Sequence, residues 1–207
     1  MKSPNIAIID YGAGNLHSVA KAFETIGHAA KVTQSTADVL AADAVVLPGV
    51  GAAGDTMRSL TGIGMAEVVR KVISDGKPFF GVCLGLQLLL SSTEEGDEEC
   101  LGVFKGEVKR FKSATLKVPH MGWNQVQYKQ NHPLFTGIQN GSYFYFVHSY
   151  YAAPVDKTLV AAETDYGGNF CSAIAKGNLV ATQFHPEKSG PTGLKLYENF
   201  VNLVAAK

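Results

Sequence analysis

The sequence predicts an α/β fold in which a central, mostly parallel sheet is covered by helices on both faces, with additional antiparallel strands in the C-terminal half. Two observations predict it. Up to Cys83, short apolar runs alternate with amphipathic stretches that end in glycine, the βαβ rhythm that a buried parallel sheet demands. Beyond the acidic segment Glu94-Glu95-Gly96-Asp97-Glu98-Glu99, that rhythm gives way to short strands separated by turns.

The elements follow in order. Ile6-Ala7-Ile8-Ile9 is an apolar strand, and Asn15 stands where it can cap a helix whose Leu16, Val19, Ala20, Phe23 and Ile26 share one face before Gly27 stops it. Ala44-Val45-Val46-Leu47 is a buried strand that Pro48-Gly49 should end, and Met65 to Ser74 reads as a helix stopped by Gly76. Pro78 to Val82 is a strand feeding directly into Cys83. The acidic segment reads as a solvated loop. Later strands are expected around Val108, Val126, Tyr145 and Val160, and Lys176-Gly177-Asn178 joins Phe170–Ala175 to the next strand as a hairpin. Alternation from Tyr143 to Tyr151 puts Phe144, Phe146, His148 and Tyr150 on one face and Tyr145, Val147 and Ser149 on the other. A final helix places Leu194, Tyr197, Val201 and Val204 on one face.

Composition narrows the function. The 207 residues suit one domain, spanning 1–207, and 46% hydrophobic content supplies a sizeable core. Eighteen basic residues balance 18 acidic ones, so no global field recruits nucleic acid or an anionic membrane. The N-terminus lacks the long apolar core of a signal peptide, no stretch is long enough to span a bilayer, and three cysteines form no paired framework. A cytoplasmic protein is expected, with Cys100 and Cys171 structural. Neither a cofactor nor a metal is expected: Gly12-x-Gly14 has His17 where a dinucleotide fingerprint needs a third glycine, no Walker A sequence occurs, and no His or Cys pair has ligand spacing.

The chemistry centres on Gly81-Val82-Cys83-Leu84-Gly85-Leu86-Gln87, set between Pro78-Phe79-Phe80 and Leu88-Leu89-Leu90. Strand, sharp turn and helix in that order make a nucleophile elbow, with glycines two residues either side to let the chain turn tightly. A buried cysteine packing as a small hydrophobe would fit the same local pattern. His185 closes the apolar run Leu179–Phe184, and in an extended chain Glu187 points the same way and can reach its ring. A carboxylate there would fix the tautomer and support the imidazolium formed when His185 takes a proton from Cys83. The competing reading is a surface histidine with a solvated glutamate. His17, His28, His120 and His132 lack such a partner and read as structural.

Gly-Val-Cys-Leu-Gly-Leu-Gln together with Phe184-His185-Pro186-Glu187 is similar to the class I glutamine amidotransferases. A narrower set resembles the glutaminase subunits of imidazole glycerol phosphate synthase: Asp10-Tyr11-Gly12-Ala13-Gly14-Asn15, Leu47-Pro48-Gly49-Val50-Gly51, Val118–Asn124, Tyr145–Tyr150 and Phe184–Ser189. It departs from that pattern at Ala52-Ala53 and Gly190-Pro191, away from the triad. The resemblance implies a flavodoxin-like three-layer fold and hydrolysis of glutamine through a thioester on Cys83, with His185 and Glu187 completing the triad. It further implies oxyanion donors from the backbone of Leu84 and of Val50 and Gly51, and a glutamine site at Gly49, Gln87, His148, Ser149 and Tyr150. The His-Ser-Tyr segment would act largely through its backbone. The implied partner is the cyclase of the same complex, built as a β/α barrel, which takes the ammonia in histidine biosynthesis and faces Asn15, Trp123, Tyr145 and Lys188. Trp123, between Gly122 and Asn124, suits an interface anchor or an internal core position equally. An inactive module or a partner-independent cysteine hydrolase of the same fold are the alternatives.

Overall fold

The computed structural model describes residues 3–12, 15–112 and 116–205. Its N-terminal part runs β1 (Ile6–Ile9), α1 (Leu16–Thr25), β2 (Ala30–Thr33), α2 (Thr36–Ala41), β3 (Ala44–Gly49), α3 (Ala53–Gly62), α4 (Met65–Ser74), β4 (Phe79–Cys83) and α5 (Leu84–Gln87). The remainder is mostly strand: β5 (Ser92–Thr93), β6 (Glu98–Glu99), β7 (Gly106–Arg110), β8 (His120–Gln125), β9 (Gln127–Tyr128), β10 (Tyr143–His148), β11 (Tyr150–Pro154), β12 (Val160–Asp165), β13 (Asn169–Lys176) and β14 (Leu179–Thr182), closed by α6 (Gly190–Ala205). Among the described residues no helix is long and apolar enough to cross a membrane.

The parallel part of the main sheet has the order β2-β1-β3-β4-β14. Antiparallel strands continue it through β13, β11 and β7, while β8 and β10 form a separate antiparallel pair. Successive side chains of a strand point to opposite faces, and β1 divides accordingly. Ile6 and Ile8 join Phe23 of α1 and Tyr197 and Phe200 of α6, whereas Ala7 and Ile9 join Val39, Leu60 and Val69 of α2, α3 and α4. The result is the expected three-layer α/β architecture. On the α1/α6 side, Phe80 of β4 packs between Tyr197 and Phe200, with ring centroids 5.5 and 5.2 Å away. Burial of this kind, at roughly 1.5–3 kcal/mol per large apolar side chain, fixes β4 in the middle of the molecule.

Several expectations need correction. Pro48 and Gly49 do not end β3; they pair with Val82 and Cys83 of β4. Val45 donates to the Pro78 carbonyl on the β4 side, so by alternation the Pro48 nitrogen, which lacks a hydrogen, faces β1, whose pairing with β3 stops at Val46. The helix after Cys83 is a single turn. The carbonyls of Leu88, Leu89 and Leu90 accept from Leu101, Phe104 and Gly102, which draws the leucine run into the core instead of prolonging the helix. Nor is the acidic segment merely solvated: Glu94 accepts from the Arg110 N–H at 2.7 Å, Glu95 accepts from the Ala53 N–H that opens α3 at 2.8 Å, and Glu98 binds Arg58. Finally, the Tyr143–Tyr151 alternation breaks at Ser149, where the chain leaves β10 and joins the main sheet as β11. Phe144, Phe146 and His148 are buried, while Tyr150 packs against the opposite core from the two phenylalanines.

Candidate active site

Cys83 takes the sharp turn itself. Its backbone stands at φ 54°, ψ −106°, one of two non-glycine residues at positive φ among those described. Such a conformation costs of order 1–3 kcal/mol and persists only where surroundings over-determine it. Here they do, but not as the flanking glycines were expected to act. Gly81 and Gly85 have no positive φ; they are needed for closeness. A Cβ on Gly85 would drive into the Leu47 carbonyl, one on Gly81 would come within 2.7 Å of the Gly85 oxygen, and one on Gly49 within 2.6 Å of Leu84 Cβ. The elbow thus lies flat on β3, and the sulfur is lifted at the apex.

His185 reaches that apex from the neighbouring strand. β14 lies parallel to β4 and ends at Thr182; His185 then donates its N–H to the Tyr145 carbonyl at 2.9 Å. The following residues are not extended as expected. Pro186–Lys188 form one turn of 3-10 helix, tied back by the Ser189 hydroxyl on the His185 carbonyl at 2.6 Å. That turn brings Glu187 under the ring, and His185 Nδ1–H donates to Glu187 Oε1 at 2.7 Å. A carboxylate can only accept, so the proton sits on Nδ1. Both side chains are sealed, 2% and 0% exposed.

Asn15 supports the same carboxylate. It occupies the N-cap position of α1 but caps nothing; its amide donates to Glu187 Oε1 at 3.0 Å instead. On the other side Tyr197 of α6 is wholly buried, and burial followed by the nearby Glu187 charge pushes its hydroxyl well above the usual tyrosine range. The other ring nitrogen of His185, Nε2, is buried without a hydrogen-bond partner, and Cys83 lies near enough to influence the ring. Burial alone would lower this histidine, yet Cys83 and Glu187 outweigh it and raise the group to about 10. A sulfur at a turn apex, a base able to exchange a proton with it, and a carboxylate that orients the base suit acyl transfer.

A cavity of about 420 Å³ opens over Cys83, lined by Val50, Gly51, Leu84, Gln87, His148, Ser149, Tyr150 and Lys188, together with Glu95, Pro119 and Val147. Gly49 lies beneath its floor, against Leu84. Gln87 does not face outward. It is buried and donates to the Tyr150 carbonyl at 2.8 Å and to Gln183 Oε1 at 3.0 Å. The ring of His148 is also engaged: Nδ1–H donates to the Tyr150 carbonyl at 2.8 Å, and Nε2 accepts from His120 Nδ1–H at 3.0 Å. Burial first of all lowers His148 to about 3 and His120 to about 4, so both are neutral donors and acceptors. Trp123 is 56% exposed, which removes its core alternative; it meets Tyr145 edge-on at 6.1 Å, and Lys188 lies 6.0 Å from the same tyrosine ring.

Four residues near the site escaped the sequence reading. Tyr11 is buried, raised by burial, and lies beside the Val50 backbone, Thr56 and Cys83. Glu95 was hidden in an acidic run, and Tyr197 in an amphipathic helix. Gln183 follows Thr182 just past the end of β14, and two polar residues in an otherwise apolar run were the signal available. Among the described residues no cluster of three or more His, Cys, Asp or Glu side chains could hold a metal.

Comparison with known proteins identifies the family of the chain. The family model for class-I glutamine amidotransferase matches residues 7–203. The imidazole glycerol phosphate synthase subunit HisH of Herpetosiphon aurantiacus is 52% identical over 203 residues, covering 98% of this chain and 96% of its own. Its counterpart in Dehalococcoides mccartyi is 50% identical over 199 residues, covering 96% and 97%. Among solved structures, a chain of PurLQS from Thermotoga maritima superposes with a TM-score of 0.74 at 19% identity, covering 97% of this chain and 99% of that one, which speaks to the fold alone. Identity at the level of the two HisH proteins over nearly full length is decisive, and the chain belongs to the class I glutamine amidotransferases, among the HisH subunits of imidazole glycerol phosphate synthase.

Proposed function

We propose that residues 1–207 form a single glutaminase domain that hydrolyses glutamine to glutamate and ammonia and passes the ammonia to a cyclase subunit. Glutamine enters the cavity over Cys83 with its side-chain amide carbon beside Sγ. The thiolate attacks, the carbonyl electron pair moves to oxygen, and backbone N–H groups of Leu84 and of the Val50-Gly51 segment stabilise that charge. His185, as imidazolium, gives its Nε2 proton to the departing nitrogen, and ammonia leaves with a thioester on Cys83. Neutral His185 then takes a proton from water as the water attacks the thioester; glutamate departs and the thiolate returns. Gly49, Gln87, His148, Ser149 and Tyr150 shape the glutamine site, His148 chiefly by holding the Tyr150 carbonyl.

The observation that carries this reading is the sealed His185–Glu187 pair at 2.7 Å beside a cysteine held at positive φ. Free ammonia would be protonated and lost in bulk water, so the acceptor must dock close by. Trp123, Tyr145 and Lys188 form the face read for a β/α-barrel cyclase, with Asn15 behind it holding Glu187. All three cysteines are free, which suits a reducing cytoplasm. The test is Cys83→Ala in complex with the cyclase: glutamine-dependent synthesis is lost while added ammonia still supports it.

A further inference from the structure

Gln183 stands one residue beyond the Thr182–Val82 pair, so the parallel register of β14 and β4 brings it level with Cys83. It is wholly buried, its N–H donates to the Ser172 carbonyl at 2.9 Å, and its Nε2 lies 3.6 Å from Cys83 Sγ. Burying an amide costs about 1–3 kcal/mol unless it is hydrogen-bonded, so what Gln183 does here depends on the partners of its two ends.

The orientation of that amide is forced. The Tyr150 carbonyl can only accept, so Gln87 must turn its NH₂ towards it, at 2.8 Å. Gln87 donates its other hydrogen at 3.0 Å, so Gln183 must present Oε1 to it and is left with its own NH₂ facing the sulfur. His148 occupies the second lone pair of the same carbonyl and holds it in place. A flip of either amide would set two donors or two acceptors against each other.

We propose that Gln183 is a positioning residue for Cys83, a neutral donor fixed on Sγ through Gln87 by the Tyr150 carbonyl. This rests on the reading of Cys83 as the nucleophile. A thiolate accepts hydrogen bonds better than a thiol, so the donor favours the attacking form and fixes the direction of its lone pairs. The charged or titratable groups around the sulfur are His185, with Glu187 behind it, Tyr11, and Glu95, His148, Tyr150 and Lys188 on the cavity wall, His148 being neutral. Gln183 adds a donor that does not itself titrate.

The experiment compares Gln183→Met, which keeps the length and loses the donor, and Gln183→Glu, which keeps the shape and places an acceptor at the sulfur, both in complex with the cyclase. The readouts are the pH dependence of Cys83 alkylation by iodoacetamide, kcat and KM for glutamine, and ammonia-dependent synthesis as the measure of an intact fold. Cys100 and Cys171 line no part of the cavity over Cys83, and burial pushes their thiols up to about 11 and 12; peptide mapping of the alkylated complex assigns the label to Cys83. Loss of one hydrogen bond predicts a midpoint displaced to higher pH and a kcat reduced about five- to tenfold in Gln183→Met, with KM changed less, and a larger effect in Gln183→Glu. Variants that support ammonia-dependent synthesis but keep the wild-type midpoint and kcat, whatever their melting temperature, overturn the proposal. If Cys83→Ala still turned over glutamine, the nucleophile itself would be misassigned; if that variant is dead while both Gln183 variants match wild type, only the positioning role falls.

Discussion

His185 is held in a state that its burial alone would forbid. A buried imidazole is normally driven neutral, but the nearby Cys83 and Glu187 outweigh that burial and raise it to about 10. The folded value exceeds the ordinary 6.5, so the stability it contributes is complete below about pH 6.5 and is lost as pH rises through 10. Glu187→Gln is therefore expected to lower stability most at pH 6, with the gap to wild type closing towards pH 10 in urea titrations. The same variant should lower glutamine turnover, and His185→Ala should lower it further, by about 10²–10⁴-fold, since general acid and base are lost together. An unchanged pH profile in Glu187→Gln would remove the orienting role. His148 and His120 carry the opposite sign. Both are lowered, to about 3 and 4, so the unfolded chain takes up protons first and stability falls as pH drops from 6.5. The slope is up to about 1.4 kcal/mol per pH unit for each histidine, and His120→Gln should flatten it.

At the scale of elements, the elbow depends on contact between α5 and β3. A methyl group on Gly85 meets the Leu47 carbonyl, a backbone atom that cannot swing aside. Gly85→Ala should destabilise the chain by about 1–3 kcal/mol through overpacking and reduce glutamine turnover more than ammonia-dependent synthesis. Equal loss of both would mean that the elbow geometry does not matter specifically. The sequence around this element was legible because a positive-φ apex flanked by small residues has a strong pattern. What stayed illegible was which residue bears the strain, since a Gly-x-Cys-x-Gly string does not say whether glycine supplies rotation or space. Likewise Glu187 was read from extended-chain alternation, whereas a 3-10 turn delivers it: the contact followed from proximity in sequence, the conformation from Pro186. Helices α2 and α3 and strand β2 were not anticipated. The burial pattern of β2 explains its own case, because only Thr33 of its four residues is buried, so it gives no apolar run to read.

Across the whole molecule, the alternating N-terminal half announced the parallel sheet, but the C-terminal half concealed a change of sheet. Tyr143–Tyr151 alternates without interruption, and nothing in the residue types marks Ser149 as the point where β10 ends and β11 begins. That switch leaves β8 and β10 as a separate pair, with Met121, Trp123 and Tyr143 exposed on it and Phe144, Phe146 and His120 buried behind. For a docked cyclase this pair and Lys188 are the expected contact. Trp123→Ala and Lys188→Ala should keep the fold yet release more glutamate than product formed, or lose stimulation of hydrolysis by the cyclase. Normal binding, matched stoichiometry and full stimulation in both variants would place the interface elsewhere.

The most direct measurement compares two nitrogen sources in one complex. With the cyclase and its substrate present, product formation by wild type and Cys83→Ala is followed with glutamine and then with ammonium salt at alkaline pH. Cys83→Ala is expected to form no product and release no glutamate with glutamine, yet to match wild type with ammonia. Glutamate release by Cys83→Ala, or equal failure with both nitrogen sources, would contradict the assignment of Cys83 as the nucleophile of a glutaminase.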